Sequence, residues 1–164
     1  YADAAWSTKV VPTIASKAVD ASTLLPAISA DATAAGAKYG IPSTTGGAPT
    51  FMVKGKGKVT KVDTSDPHGP ITVDLGAAGT ITIATGPVIT GTALRDAAGI
   101  TFGEFTNQID YQNVGTALNN KSKTEVIAKV DVETLKGKTL TFTGAFAASS
   151  ADDILVVPTE LTAS

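Results

Sequence analysis

From Thr50 onward the apolar residues of this chain recur at every second position, whereas before it they recur at about every fourth. A period of two is the signature of a strand with one face buried. Val53, Gly55, Gly57 and Val59 share one such face, and Lys54, Lys56 and Lys58 take the other. The apolar phase then slips, because Val62 lies three positions past Val59, and this predicts a bulge near Lys61. The turn Asp66–Pro70 ends that long first strand. A second holds Ile71, Val73 and Leu75, and the glycine-bearing turn Gly76–Gly79 leads to a third, where Ile81 and Ile83 alternate with threonines. Together these three read as a meander. Two further strands close the chain. Leu140, Phe142 and Phe146 alternate with Thr139, Thr141 and Thr143, and Ile154–Leu161 is an apolar run in which Pro158 indicates an edge position.

The first forty residues have the other period. Trp6, Val10, Ile14 and Ala18 stack on one helical face, with Pro12 expected to kink or restart the helix. Ser22 is placed to cap a turn carrying Leu24, Leu25 and Ile28, and Asp31 to cap an alanine-rich helix that stops at Gly40, before Pro42. Residues 42–50 are a loop by composition and the best boundary in the chain. A second helical stretch, about 90–135, follows the third strand. It holds a short helix from Thr92 to Ala98, the capping-box spacing Thr101 and Glu104, and a longer helix over Asp110–Lys129 that Asn119 and Asn120 weaken. The expected class is α+β: an N-terminal helical subdomain (1–45), then an OB-like antiparallel β-barrel (46–164) with a helical insertion between its third and fourth strands.

Composition narrows the chemistry. There is no cysteine and one histidine, His68, in a Pro-His-Gly turn, so thiolate chemistry is absent and a zinc site or catalytic triad has little to be built from. A net charge of -2 and the lack of aromatics among Lys54, Lys56, Lys58 and Lys61 argue against nucleic acid. The glycines of Lys54–Lys58 lack the strand–loop–helix setting of a phosphate loop, and read as a strand bent to close a barrel with its lysines in water. Asp63, Asp66 and the pair Asp152 and Asp153 lack the dense spacing of a calcium loop and fit Asx turns. Trp6 reads as a core residue. No cofactor is expected. No stretch is long enough for a membrane span, and a start at Tyr1 without methionine suggests a mature or trimmed form, with any lipid-bearing cysteine upstream.

One cluster can carry recognition. Arg95 is the sole arginine, and with Asp96, Asn107, Gln108, Asp110 and Tyr111 it offers a rigid donor fork, amides, carboxylates and an aromatic face. That is the chemistry of a small sugar or polyol site. The alternative is structural: Arg95 pairs with an acid and ties the insertion to the sheet, and Asp110 caps the long helix. A glycosidase pair made of Asp96 with Glu104 or Asp110 has no spacing to support it. No catalytic residue is assigned.

Several motifs resemble one family. They are Trp6–Pro12, Ala35–Gly40, Gly86–Ala97, Phe105–Tyr111, and Lys136–Lys138 leading to Thr143–Phe146, in the family's order over nearly the whole chain. The chain is similar to the predicted periplasmic lipoproteins of unknown function often encoded beside sugar-uptake ABC transporters. The resemblance implies export, lipid anchoring, helices joined to one OB-like unit or two that exchange strands, and no defined chemistry. The expectation is therefore a non-enzymatic periplasmic accessory or small-ligand-binding protein linked to sugar uptake. The alternative is a purely structural module that contacts a transporter or a solute-binding protein.

Overall fold

The computed structural model describes residues 2–42, 47–150, 152 and 154–164. Its N-terminus is one helical run made of α1 (Ala2–Ala5), a π turn (Trp6–Val10) and α2 (Val11–Lys17). Pro12 does not break this helix. It has no N–H to give the carbonyl four residues back, and the turn just ahead of it is widened instead. Trp6, Val10 and Ile14 stay on one buried face, as the four-residue spacing predicts.

A two-residue strand, β1 (Val19–Asp20), then pairs in parallel with Val53 and Lys54. It was not evident in the sequence. Asp20, rather than Ser22, caps α3 (Ala21–Ala30), accepting the Ser22 N–H at 2.9 Å and the Ser22 hydroxyl at 2.7 Å. Asp31 caps α4 (Ala32–Tyr39) through the Ala34 N–H at 3.1 Å.

The sheet is built around β2 (Thr50–Val62). Antiparallel partners lie on both sides of it, in the order β4 (Thr80–Ala84), β3 (Pro70–Asp74), β2, β5 (Thr139–Ala147), β6 (Val157–Ala163). The β2–β3 register shifts between Val59 and Lys61, where the slip in apolar phase predicts a bulge. Gly55 and Gly57 face inward for steric reasons. A Cβ on Gly55 would stand 2.9 Å from the Phe142 ring, and one on Gly57 would stand 2.2 Å from the Asp74 carbonyl oxygen.

The OB-like barrel expected from the sequence is present as an antiparallel sheet that does not close. The edges β4 and β6 are not joined by a ladder; they meet at one parallel bridge, Ile83 with Val156, held by Ala84 N–H to Val156 O and Val156 N–H to Thr82 O, both 2.9 Å. Pro158, two residues on, has no N–H to extend it.

Two apolar clusters flank the sheet. The larger joins Phe51, Val53, Val59, Ile71, Val73, Ile83, Leu140, Phe142 and Phe146 to Leu24 and Ile28 of α3. On the opposite face, Met52, Ala145 and Val157 are covered by Trp6, Val10 and Ile14 and by Leu94, Ile100, Val114 and Leu118. The last four come from the segment between β4 and β5. It comprises α5 (Ala93–Ala97), a short 3-10 turn (Phe102–Glu104) and α6 (Gln108–Lys121), which runs on through a π turn (Ser122–Val126) and a 3-10 turn (Ile127–Lys129).

Candidate functional site

Helix α5 buries Leu94 against the sheet, which turns Arg95 toward α6 and leaves its residue only 9% exposed. A buried guanidinium needs partners for its charge and its donors. Asp96 supplies the first: Arg95 Nε donates to Asp96 Oδ1 at 2.9 Å. Thr92, one turn earlier, donates its hydroxyl to the other carboxylate oxygen at 2.8 Å. The guanidinium lies over the Tyr111 ring, with Cζ 3.7 Å from the centroid, and Nη1 reaches the Tyr111 carbonyl at 3.5 Å. Around that ring, Phe102 sits edge-on at 5.7 Å and Phe105 is tilted at 5.8 Å.

Gly115, one turn beyond Tyr111, lies beside this stack at ordinary contact distance. A Cβ there would meet Thr92 Cγ2 at 3.4 Å and Arg95 Nη1 at 3.9 Å.

Asn107, Gln108 and Asp110 stand apart from this cluster, on the exposed first turn of α6. Asn107 caps the helix, its Oδ1 accepting the Asp110 N–H at 2.9 Å while its Nδ2 donates to Asp110 Oδ2 at 3.2 Å. The helix that the sequence starts at Asp110 therefore starts two residues earlier, and Asp110 is a partner of the cap rather than the cap itself. Thr101 and Glu104 form the predicted capping box around the short 3-10 turn. Of the six candidate residues, the fold brings together Arg95, Asp96 and Tyr111.

Three cavities lined by described residues include none of the six. The largest, about 530 Å³, lies against α4 and is lined by alanines, glycines and prolines with Thr33 and Ser149. Another is formed by Ala2 and Asp3 against Asn113, Val114 and Ala117 of α6. A smaller one, about 180 Å³, has Asp63, Asp66 and Glu133 in its wall. The first two of these acids are engaged in Asx turns: Asp63 accepts from the Ser65 N–H and hydroxyl, and Asp66 from the His68 N–H. Among the described residues no group of three or more His, Cys, Asp or Glu is arranged to hold a metal ion. Asp153 lies outside the described residues, so the Asp152 and Asp153 pair is not described.

Sequence reasoning missed two tethers. Asn119, read as weakening α6, is buried and donates to the Ile89 and Gly91 carbonyls at 3.4 and 2.9 Å, pinning the loop that leads into α5. Lys121 bridges to Asp3 at 2.9 Å and to Glu125 at 3.7 Å, tying the N-terminal helix to α6. The i, i+4 spacing of Lys121 and Glu125 is legible in sequence; the others join distant segments and leave no local signal.

These features define an OB-like α+β domain whose most chemically varied cluster is knit into its own scaffold. In line with this, the chain is similar to an OB-fold protein from Thermotoga maritima whose crystal structure is known: TM-score 0.74, 19% sequence identity, over 90% of this chain and 86% of that one. The chain belongs to the family described as "Predicted periplasmic lipoprotein (DUF2291)", whose model matches residues 1–162. It is thus a periplasmic lipoprotein by family. Among curated proteins none matches the sequence. No helix of the described residues is long and apolar enough to cross a membrane.

Proposed function

We propose that this domain is a non-catalytic accessory protein of the periplasm that works by contacting another protein. The observation that carries this reading is the segment 101–110. Ile109 is 68% exposed and Phe102 41% exposed, on a segment braced by the Thr101–Glu104 capping box, the Asn107 cap and the Arg95–Tyr111 stack. Large apolar side chains held out on a rigid base cost little ordering entropy on association, which suits an anchor residue in an interface. The family resemblance supplies the partner class: a component of a sugar-uptake ABC transporter or its solute-binding protein.

A site for a sugar or polyol on Arg95, Asp96, Asn107, Gln108, Asp110 and Tyr111 would need these groups to converge on a common space. Arg95 and Asp96 instead satisfy each other, and Asn107 and Asp110 satisfy each other.

A photo-crosslinking residue placed at Ile109 or Phe102 tests the reading in cells that make the full lipoprotein. The expected result is a discrete adduct with a transport component, lost in a Phe102→Asp, Ile109→Asp variant that melts like the parent. No adduct at either position, with the protein correctly exported, overturns it. A melting shift on adding a sugar, abolished by Asn107→Ala, would return the small-ligand reading.

A further inference from the structure

The sheet face that carries Met52, Ala145 and Val157 is covered by helices at one end only. At its other end the strand registers set out an open platform. Lys54 stands beside Asp20 and Thr143, Lys56 beside Thr141, Lys58 beside Asp74 and Thr139, and Lys61 beside Thr72. On the far side of β5, Thr143 pairs with Glu160 and Thr141 with Thr162. The bulge between Val59 and Lys61 brings Lys61 onto this face; without it the two-residue alternation would turn Lys61 inward and Val62 outward. All four lysines are exposed. The first three follow one another at roughly 6.7 Å, two strand rises.

Several lysines of the helical side are engaged, although among the described residues Lys17 and Lys38 are in no ion pair. There Lys9 pairs with Glu104, Lys121 with Asp3 and Glu125, and Lys129 with Glu125, while Lys123 donates to the Pro87 carbonyl. None of the ion pairs formed among the described residues uses Lys54, Lys56, Lys58 or Lys61. Their nearest acids in the ladder have other tasks. Asp20 accepts from the Ser22 N–H and hydroxyl, and Asp74 accepts from the Gly76 N–H at 2.8 Å. Four ammonium groups thereby stand outside any close ion pair, on a pleated surface they share with Asp20, Asp74, Glu160 and a set of threonines, which leaves that end of the face with a positive excess.

We propose that this platform lies against the anionic headgroup surface of the membrane to which the lipoprotein is tethered. The positive excess of this row complements a negatively charged surface, and three adjacent strands give a broad, open face, which suits a surface better than a thread. The side chains there include no aromatic or large aliphatic group to insert, so the contact is electrostatic and stays at headgroup level. A lipid tether combined with a basic patch is a recognised two-signal arrangement for stable membrane association. The platform then fixes which side of the domain faces outward, a property a flexible tether alone does not provide.

The test is sedimentation of the chain itself, without added lipid, with vesicles of phosphatidylcholine alone or mixed with phosphatidylglycerol. The expected result is binding only to the phosphatidylglycerol vesicles, falling as salt is raised. Each lysine exchanged for glutamine should lower the partition coefficient about fivefold, the equivalent of ~1 kcal/mol per lysine near such a surface. A Lys54→Gln, Lys56→Gln, Lys58→Gln variant should therefore bind about a hundredfold more weakly. A Lys17→Gln, Lys38→Gln, Lys129→Gln variant, with the same net charge, should bind like the parent. Thermal melts establish that both variants fold. No binding to anionic vesicles, equal binding to neutral ones, or equal loss in the two variants overturns the proposal. Binding to soluble polyphosphate but not to vesicles also overturns it, in favour of a chain-like polyanion.

Discussion

At the scale of single residues, Arg95 gives the sharpest distinction between a site and a support. Its charge is buried, its Nε is used by Asp96 and its guanidinium lies over Tyr111. Arg95→Ala removes the cation, leaves Asp96 with only Thr92, and opens space beneath Tyr111. We expect a loss of about 2 kcal/mol, a combination of a lost cation–π contact and a lost charge-assisted hydrogen bond. For a chain of this size that is a fall of roughly 4–8 °C in melting temperature. Arg95→Lys should recover little of it, because an ammonium offers no plane to the ring and no fork to the carboxylate. A double-mutant cycle with Tyr111→Leu isolates the stack, and a coupling near 1 kcal/mol is expected. A coupling near zero would mean that the two side chains are neighbours without interaction.

Elements made the next level legible, with limits of a physical kind. The strands from Thr50 to Ala84 and from Thr139 onward could be read because one face of each is buried and the other wet, which writes a period of two into the sequence. The bulge near Lys61 could be read because it breaks that phase. β1 could not, since two residues carry no period, and neither could the single bridge at Ile83, which depends on where β6 turns. The site was half legible: Arg95, Asp96 and Tyr111 do meet, but Asn107, Gln108 and Asp110 fall on an exposed helix start whose capping chemistry looks in sequence just like polar recognition. The inward glycines of β2 allow a direct check. In Gly57→Ala the new methyl would sit 2.2 Å from the Asp74 carbonyl oxygen, so β2 and β3 must separate locally. That is backbone rather than a movable side chain, and a cost of about 3 kcal/mol or more is expected. At Gly103, where a Cβ meets nothing within 4 Å, alanine should change stability by no more than about 0.5 kcal/mol. Urea melts of the two variants measure the contrast. Equal stability would mean that the β2–β3 pairing has slack which its register does not show.

For the whole molecule the informative variable is pH, because three carboxylates engaged in a helix tether, a helix cap and a turn share one sign of shift. Asp3 is drawn below the usual carboxylate range by its bond to Lys121. Asp20 is lowered by the Ser22 hydroxyl and N–H, and Asp63 in the same way by Ser65. A group whose pKa is lower folded than unfolded resists protonation in the folded state. Its contribution is complete above the unfolded value, near 3.9, and is lost as pH falls through the lower folded value. These groups therefore predict no change in stability between neutrality and about pH 5, then an acid limb below about pH 4. Asp20→Asn and Asp63→Asn separate titration from geometry, since asparagine still accepts the backbone N–H at a cap or turn but carries no proton equilibrium. The double variant should be less stable than the parent at pH 7 and approach it at pH 3, so its acid limb is shallower. The Asp3–Lys121 bridge behaves differently because its partner is itself a charged side chain and Asp3 is open to solvent. Wherever Asp3 is ionised, salt should weaken it, and with it the hold of the N-terminal helix on α6. Hydrogen exchange along residues 2–17 at low and high salt measures that hold. Faster exchange in salt would show that this ion pair fastens the helix; unchanged exchange would leave the hold to Trp6, Val10 and Ile14.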